Sequence, residues 1–355
     1  MAYRAEDQER PFVGGIAAGR RSNVIMTQPV YTQVKNHPNL PSPRGVVLEV
    51  LRLAQSDETG LNEIARVIET DPALAGRLLK VVNSAALNPG HSIASIRQAA
   101  AMLGLRAVTH LALAFTLLED YRKGAGPLDL STYWSSSLGR AAAMRRLAMR
   151  LADCGPEEAF TCGLLSGIGW LGLACVFPER YPLRDVAPEN ETLATHLERE
   201  RRVLGIDHVT LTADLMDDWR LPATFASAVR LLPGEPAGDG GKGSGAAGYG
   251  LMLRVASDVA DILVSKTVAQ QFLTTLMHRA QALGIEPLDF IEMFDQIGED
   301  WRTAGRIFAV QTRNTMSLPE LYALAQRRQQ GLVEGNSRIS TESEAGGQLA
   351  GAGRR

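Results

Sequence analysis

The stretch Asp71–Leu105, DPALAGRLLKVVNSAALNPGHSIASIRQAAAMLGL, decides the fold of this chain of 355 residues. Asp71 can accept hydrogen bonds from the free N–H groups of a first helical turn, and Pro72 is preset for the position that follows. Gly104 is typical of the residue just after a helix. Two sets of apolar residues recur at helical spacing: Leu74, Leu78, Val81 and Val82, and then Ile93, Ile96, Ala99 and Leu103. The stretch therefore predicts two short, capped helices joined by a polar turn at Asn88-Pro89-Gly90.

Asn83 and Ser84 lie where the first of these helices ends. Their side chains can close the helix by hydrogen-bonding to nearby backbone groups, as short polar side chains commonly do. They can also present a polar patch to a partner. The sequence favours the closing role and leaves the second possibility open.

Composition limits the class of protein. Hydrophobic residues make up 45% of the chain, which supports a sizeable core, and the formal net charge of −2 gives no field that attracts nucleic acid or acidic membranes. Three cysteines are too few for a disulfide framework. We find neither a signal peptide pattern nor an apolar run of the roughly 20 residues that a membrane span needs. These features predict a cytoplasmic globular protein that does not insert into a membrane.

Helical patterns follow one another along the chain without convincing β alternation, so the predicted fold class is all-α. The composition divides the chain into segments. They are a flexible N-terminal arm (1–38), a helical domain (39–232, divided at 120/121), a Gly-rich loop (233–250), further helices that complete the bundle (251–320) and a disordered tail (321–355).

One alternative for the segment 61–85 is a helix-turn-helix that reads DNA. Its second helix would need side chains that reach phosphates and base edges, and Arg77 and Lys80 are its only basic residues. Glu63, Glu69 and Asp71 add negative charge nearby. Because phosphate contacts supply most non-specific DNA affinity, the segment is poorly suited to this role, and we expect no nucleic-acid partner.

A second interpretation rests on landmarks that occur in one order along the chain. They are Asp71-Pro72-Ala73-Leu74, Leu78-Leu79, Asn83-Ser84-Ala85, Ser95-Ile96, Leu103-Gly104, Trp134, Glu158-Ala159-Phe160, Gly163-Leu164-Leu165, Pro178-Glu179-Arg180-Tyr181, Gly205-Ile206-Asp207-His208 and Trp219-Arg220-Leu221-Pro222. Together they resemble the HDOD domain, a non-catalytic relative of the HD metal-dependent phosphohydrolases that occurs in bacterial signalling proteins. The resemblance covers residues 39–232. It implies an amino-terminal helical subdomain packed on a degenerate HD-like bundle of helices.

The same resemblance locates the positions at which HD hydrolases hold their metal. The first ligand histidine falls on Ser136, and the His-Asp pair falls on Ser166-Gly167; only His208 keeps a family histidine. Imidazole and carboxylate ligands are needed to activate a metal-bound water, and one imidazole cannot hold a catalytic metal. We therefore expect no catalytic residue, no metal and no cofactor.

Two residues, His208 and Ser166, and the small surface around Gly167 remain to be interpreted. His208 follows an acidic residue at a predicted helix start, where a satisfied polar side chain is more common than a ligand. Ser166 lies in no strand-turn-helix elbow and has no identifiable base, so it is not a predicted nucleophile. The small surface at Ser166 and Gly167 could bind a nucleotide, although these glycines do not form a phosphate-cradling loop.

The resemblance implies a regulatory role through protein–protein contacts. The predicted function is a non-enzymatic signalling adaptor whose partner is a sensor kinase, a response regulator or an enzyme of cyclic-di-GMP signalling. The candidate interaction positions are Asp71, Pro72, Asn83, Ser84 and Gly104. The alternatives are a residual HD-type phosphohydrolase or phosphodiesterase and a DNA-binding regulator.

Overall fold

The computed structural model describes residues 27–37, 40, 45–54, 60–83, 93–124, 130–151, 155–178, 192–234, 245–265 and 268–328. Within these ranges every regular element is a helix, which confirms the all-α fold class. The helices are α1 (Thr27–Lys35), α2 (Gly45–Leu53), α3 (Leu61–Glu69), α4 (Pro72–Val82), α5 (Ile96–Leu103), α6 (Leu105–Gly124), α7 (Ser131–Leu151), α8 (Pro156–Leu165), α9 (Ile168–Val176), α10 (Leu193–Leu204), α11 (His208–Asp218), α12 (Ala223–Arg230), α13 (Gly245–Val264), α14 (Gln270–Ala282) and α15 (Pro287–Phe308).

The stretch that opens the sequence analysis forms α4 and α5 with the expected caps. The Asp71 carboxylate accepts hydrogen bonds from the backbone N–H groups of Ala73 and Leu74, both at 3.0 Å. Ser95 caps α5 by accepting from the N–H of Gln98 at 3.2 Å. Gly104 ends α5 with a φ of 88°, and the axis turns by 119° between α5 and α6. The prediction of two capped helices is confirmed.

Helices α2 to α6 pack on one another and bury their apolar faces. The buried side chains include those that the helical spacing predicts: Leu74, Leu78, Val81, Val82, Ile93, Ile96 and Ala99. Helix α6 then passes from this group onto α8 and so joins it to the rest of the core.

The centre of the remaining bundle is α7, which packs along α8, α13 and α15. Its many small residues allow these close approaches. A Cβ atom on Gly139 would lie 3.3 Å from the backbone of α13, and one on Gly163 of α8 would lie 2.7 Å from the carbonyl oxygen of Arg140. The indole of Trp301 in α15 is buried and donates to the carbonyl oxygen of Ser135 at 2.8 Å.

Three predicted boundaries differ from the structure. The arm 1–38 contains α1, because Val30 and Val34 form an apolar face that is buried against α9. The apolar stretch from Glu157 to Val176 is two helices, α8 and α9, separated at Ser166-Gly167.

The other two corrections lie on the C-terminal side. The Gly-rich loop 233–250 ends early, because α13 begins at Gly245 and buries Tyr249 and Leu251. The tail 321–355 begins late, because residues 318–328 are helical and bury Leu318 and Ala325. In each case burial of apolar side chains outweighs a local composition that is typical of loops.

The segment Pro156–Val176 has the length and apolar composition of a membrane span. However, 89% of its most apolar window is buried inside the fold. Such burial is what a core helix pair of a globular bundle shows, so the segment gives no support for membrane insertion.

Candidate functional site

The three positions where HD hydrolases are expected to hold their metal lie on α7 and at the α8–α9 break. Ser136 is half-buried on α7, and Ser166 and Gly167 are buried between α8 and α9. The Ser166 hydroxyl donates to the carbonyl oxygen of Gly163 at 2.9 Å, which closes the last turn of α8. The Ser166 side chain therefore serves local backbone structure, and the three positions supply no nitrogen or carboxylate ligand.

The guanidinium group of Arg140 covers Gly167. A Cβ atom on Gly167 would lie 2.6 Å from Nη2 of Arg140. The same guanidinium donates from Nη2 to Ser137 Oγ at 3.1 Å and from Nε to the Gly163 carbonyl at 3.4 Å. Burial lowers the pKa of Arg140, and the nearby carboxylate of Asp261 partly opposes that shift. A fixed cation thus lies against the position at which HD hydrolases carry their aspartate.

Tyr133 lies against Gly167 together with Arg140. Its ring stacks on Trp170 of α9, with ring centroids 5.5 Å apart and planes 3° from parallel. Burial raises the pKa of the Tyr133 hydroxyl to about 12. A Cβ atom on Gly167 would meet Tyr133 Cε2 at 3.4 Å, an ordinary van der Waals distance, so only the Arg140 guanidinium would have to move for a larger side chain there.

A second polar cluster lies between α10 and the first turn of α11. His196 and Glu200 are one helical turn apart on α10, and His208 is the first residue of α11. Glu200 Oε1 is 2.8 Å from His196 Nε2 and 2.9 Å from His208 Nδ1. Glu200 Oε2 accepts from the backbone N–H of His208 at 2.7 Å. The side chain of Glu200 is 3% exposed, and those of His196 and His208 are 13% and 16% exposed.

This cluster changes the interpretation of His208. The sequence analysis treats it as a lone histidine, whereas the fold brings a carboxylate and a second imidazole to it. The adjacent Asp207 does cap α11, because its carboxylate accepts from the N–H of Thr210 at 2.8 Å. The signal that could have found the cluster is the spacing His196-x₃-Glu200, which places both side chains on one face of a helix.

The candidate interaction positions have structural tasks where the structure describes them. Asp71 and Pro72 start α4, and Gly104 ends α5. Asn83 ends α4, and its amide exchanges two hydrogen bonds of 2.7 Å with the backbone of Ile93. The Asn83 side chain thus bonds to backbone, as predicted, but to backbone ten residues away and not to groups at the end of its own helix. Ser84 lies outside the described residues.

Residues 40–232 match the HDOD domain family. The chain belongs to the HDOD family. The match covers the segment for which the landmarks predict this domain, and it ends before α13, so the C-terminal helices that pack on α7 lie beyond it.

Individual relatives of this HDOD protein are distant. An uncharacterised protein of Treponema pallidum (strain Nichols) is 25% identical over 214 residues, which are 58% of this chain and 39% of that protein. This chain therefore spans about two fifths of the length of that relative.

Three solved structures are similar. The MmoQ response regulator of Methylococcus capsulatus is 30% identical, with a TM-score of 0.43, 70% of this chain covered and 95% of that one. A candidate phosphohydrolase of Shewanella amazonensis SB2B is 21% identical, with a TM-score of 0.57 and coverage of 79% and 97%. An HDOD domain protein of unknown function from Geobacter sulfurreducens is 19% identical, with a TM-score of 0.57 and coverage of 79% and 97%. The last two share the fold of this chain.

The metal of HD hydrolases does not fit the residues that this HDOD protein has at positions 136, 166 and 167. Two hydroxyl groups and a glycine replace imidazole and carboxylate ligands, and hydroxyl oxygens are poor ligands for the metals concerned. In addition, the positive charge of Arg140 lies against Gly167 and opposes a metal cation there. No step of a metal-assisted hydrolysis can therefore be assigned to these side chains.

Proposed function

We propose that this HDOD protein is a non-enzymatic regulatory module that acts in cytoplasmic bacterial signalling through protein–protein contacts. The observation that carries the proposal is the state of the HD ligand positions, where Ser166 bonds to its own helix and Arg140 covers Gly167. The overall fold is retained while these groups offer no water-activating centre. A protein that keeps the fold of a hydrolase but lacks its metal ligands is best explained by a function of its surface.

We place the partner-binding surface on the helices of the signature stretch. The Arg140 guanidinium leaves little room for a nucleotide beside Gly167, whereas α4 and α5 expose several side chains. Met102 of α5 is 43% exposed, and Lys80 of α4 and Arg97 of α5 are exposed on the same pair of helices. An exposed apolar side chain with basic neighbours suits a partner surface of apolar and acidic residues.

The partners expected are a sensor kinase, a response regulator or a cyclic-di-GMP enzyme. The test is affinity capture of the full chain from its native cells after mild cross-linking, followed by reconstitution of each pair from purified components. Recovery and direct binding of a protein of one of these three classes is the expected result. Repeated capture without any of them contradicts the proposal.

A matched pair of variants locates the surface. Met102→Asp on α5 places a charge in the proposed surface, and Met149→Asp places the same charge at a 54% exposed methionine on α7. We expect the first substitution to weaken partner binding by at least about tenfold, since a desolvated charge costs 1.4 kcal/mol or more. We expect the second to leave binding unchanged. Equal effects of both substitutions contradict the location.

Enzymatic and DNA-binding activity are outcomes of a parallel test. The purified chain is incubated with Mn²⁺ or Mg²⁺ and with mononucleotides, phosphomonoesters and cyclic dinucleotides, and separately with duplex DNA at two salt concentrations. We expect no metal-dependent turnover and no salt-sensitive retardation of DNA. Turnover in proportion to enzyme concentration revives the phosphohydrolase alternative, and DNA retardation revives the helix-turn-helix alternative for 61–85.

A further inference from the structure

We propose that His196, Glu200 and His208 form a binding site for one divalent transition-metal ion of the zinc class. The site shares only the retained family histidine, His208, with the ligand positions of HD hydrolases, since Ser136, Ser166 and Gly167 take no part in it and α10 supplies its other two ligands. It revises the expectation from sequence that the chain holds no metal. It does not depend on the proposed signalling function.

The three ligand atoms already converge. One ligand atom from each residue lies within 4.8 Å of the other two, and Glu200 Oε1 is within 2.9 Å of a ring nitrogen of each histidine. Zinc binds imidazole nitrogen at about 2.0–2.1 Å and carboxylate oxygen at about 2.0–2.2 Å, with tetrahedral angles. Ligand atoms held at hydrogen-bond distance therefore need to separate only slightly to accept the ion.

The backbone holds the carboxylate in a suitable orientation. Glu200 Oε2 accepts from the backbone N–H of His208 at 2.7 Å and lies 2.8 Å from its Nδ1, while Oε1 lies within 2.9 Å of a ring nitrogen of both histidines. Such outer contacts fix ligands at metal sites and strengthen binding. Two elements are thereby joined, because the ion would connect the middle of α10 to the first turn of α11.

The ligand types define the class of ion. Two imidazoles with one carboxylate, and a fourth position left for water, is a combination found at zinc sites and at open sites of neighbouring transition metals. Oxygen-preferring ions such as Mg²⁺ and Ca²⁺ are not expected, because two of the three ligands are nitrogen atoms. The partial exposure of both imidazoles gives the ion a path from solvent.

Arg199 controls the proton on His196. Its guanidinium nitrogen Nη2 is 2.9 Å from His196 Nδ1, and because a guanidinium can only donate, Nδ1 accepts and Nε2 carries the proton. Metal binding through Nε2 requires the other tautomer, with the proton on Nδ1 and Arg199 turned away. Metal binding through His208 Nδ1 likewise requires its proton on Nε2, since Nδ1 now faces the Glu200 carboxylate.

The experiment measures metal binding by the full chain without an affinity tag. The protein is treated with a chelator, dialysed against Zn²⁺ and passed through a gel-filtration column, and bound zinc is determined by elemental analysis. We expect one equivalent of zinc, and with Co²⁺ a visible absorption spectrum of a four-coordinate ion. We also expect the midpoint of thermal unfolding to rise by roughly 5 °C at a zinc concentration of about 100 times Kd.

Three substitutions and a control make the test specific. Glu200→Gln and His196→Gln each remove a ligand in a nearly isosteric way, and we expect each to weaken zinc binding by more than about a hundredfold, since even outer-shell changes cost 10- to 100-fold. Arg199→Gln supplies an oxygen that accepts from Nδ1–H, and we expect it to tighten binding by about tenfold. His278→Gln removes an exposed histidine from α14 and is expected to change nothing.

Circular dichroism of the chelated variants checks that each one folds. His196→Gln keeps the test decisive if Glu200→Gln fails to fold, because His196 lies at the edge of the cluster. The proposal is overturned if the wild-type chain retains no zinc, if zinc is retained at full affinity by His196→Gln, or if His278→Gln abolishes binding as well.

Discussion

At the scale of single residues, His110 shows that the core of this protein accommodates a buried polar side chain. It lies buried in α6, its ring faces Phe225 at a centroid distance of 5.7 Å, and its Nδ1 atom has no hydrogen-bond partner. Burial, with the charge of Arg106 as a smaller cause, lowers the pKa of His110 from 6.5 to about 4. The sequence of an apolar helix does not show whether a histidine in it is hydrogen-bonded. In this case the ring of His110 contacts Phe225, which comes from α12.

This pKa predicts a pH dependence of stability. Because the pKa of His110 is lower in the folded chain than in the unfolded chain, the unfolded chain takes up the proton first as the pH falls. The contribution of neutral His110 to the free energy of unfolding is complete above pH 6.5. It is lost between pH 6.5 and 4, by an amount on the order of 3 kcal/mol. Urea unfolding at pH 7 and pH 4.5 measures this, and His110→Leu is expected to remove that part of the loss. An identical pH dependence in the variant contradicts the prediction.

Asn83 carries a second residue-scale prediction. Its amide binds both backbone groups of Ile93 at 2.7 Å and so closes the connection between α4 and α5. Asn83→Ala removes both hydrogen bonds, and since the site is partly exposed, we expect a loss of about 1–2 kcal/mol in the free energy of unfolding. Asn62→Ala at an exposed position of α3 is the matched control and is expected to stay within about 0.5 kcal/mol. Chemical denaturation measures both.

At the scale of elements, Gly104 sets the angle between α5 and α6. Its φ of 88° and ψ of 152° lie in a region that essentially only glycine occupies, and a Cβ atom there would meet nothing within 4 Å. Gly104→Ala therefore tests backbone strain without a steric clash, and we expect it to cost about 1–3 kcal/mol. Gly76→Ala in α4, also with open space around it, is expected to stabilise by about 0.5–1 kcal/mol. Shifts of opposite sign in the denaturation midpoints of the two variants confirm that backbone strain at Gly104 is the cause. Shifts of the same sign contradict it.

The helices show which elements the sequence predicts and which it does not. The caps of α4 and α5 are local, because Asp71 and Ser95 bond to groups two or three residues away, and the sequence predicts the cap at Asp71. Helix α14 is not predicted separately, although its three buried residues, Leu273, Leu276 and Ala280, recur at helical spacing. The sequence around each histidine, taken alone, likewise does not predict the cluster of His196, Glu200 and His208. Its third member comes from the next helix, so only the packing of α10 on α11 brings it into place.

At the scale of the whole molecule, the HDOD match and the folded unit do not end at the same residue. The match ends at residue 232, whereas α13 and α15 pack along α7 and belong to the same hydrophobic core. Polar contacts reinforce this arrangement. Arg146 of α7 forms two hydrogen bonds of 2.5 and 3.0 Å with Asp300 of α15, and Arg145 binds Glu157 of α8 at 2.8 Å. Helix α7 is thus shared by the matched segment and the helices after it.

This arrangement predicts that the matched segment does not fold alone. In a chain of residues 1–234, α7 would expose the surface that α13 and α15 cover, and the core would lose buried side chains such as Phe290, Phe294 and Trp301. Since each such side chain contributes about 1.5–3 kcal/mol and a domain has only about 5–15 kcal/mol in total, the loss of these three is already comparable to the available stability. We expect 1–234 to lack a cooperative thermal transition, and 1–328, which keeps every described helix, to unfold as the full chain does. Because the proposed partner surface lies on α4 and α5, a cooperative transition in 1–234 would show instead that this surface stands on an independent domain.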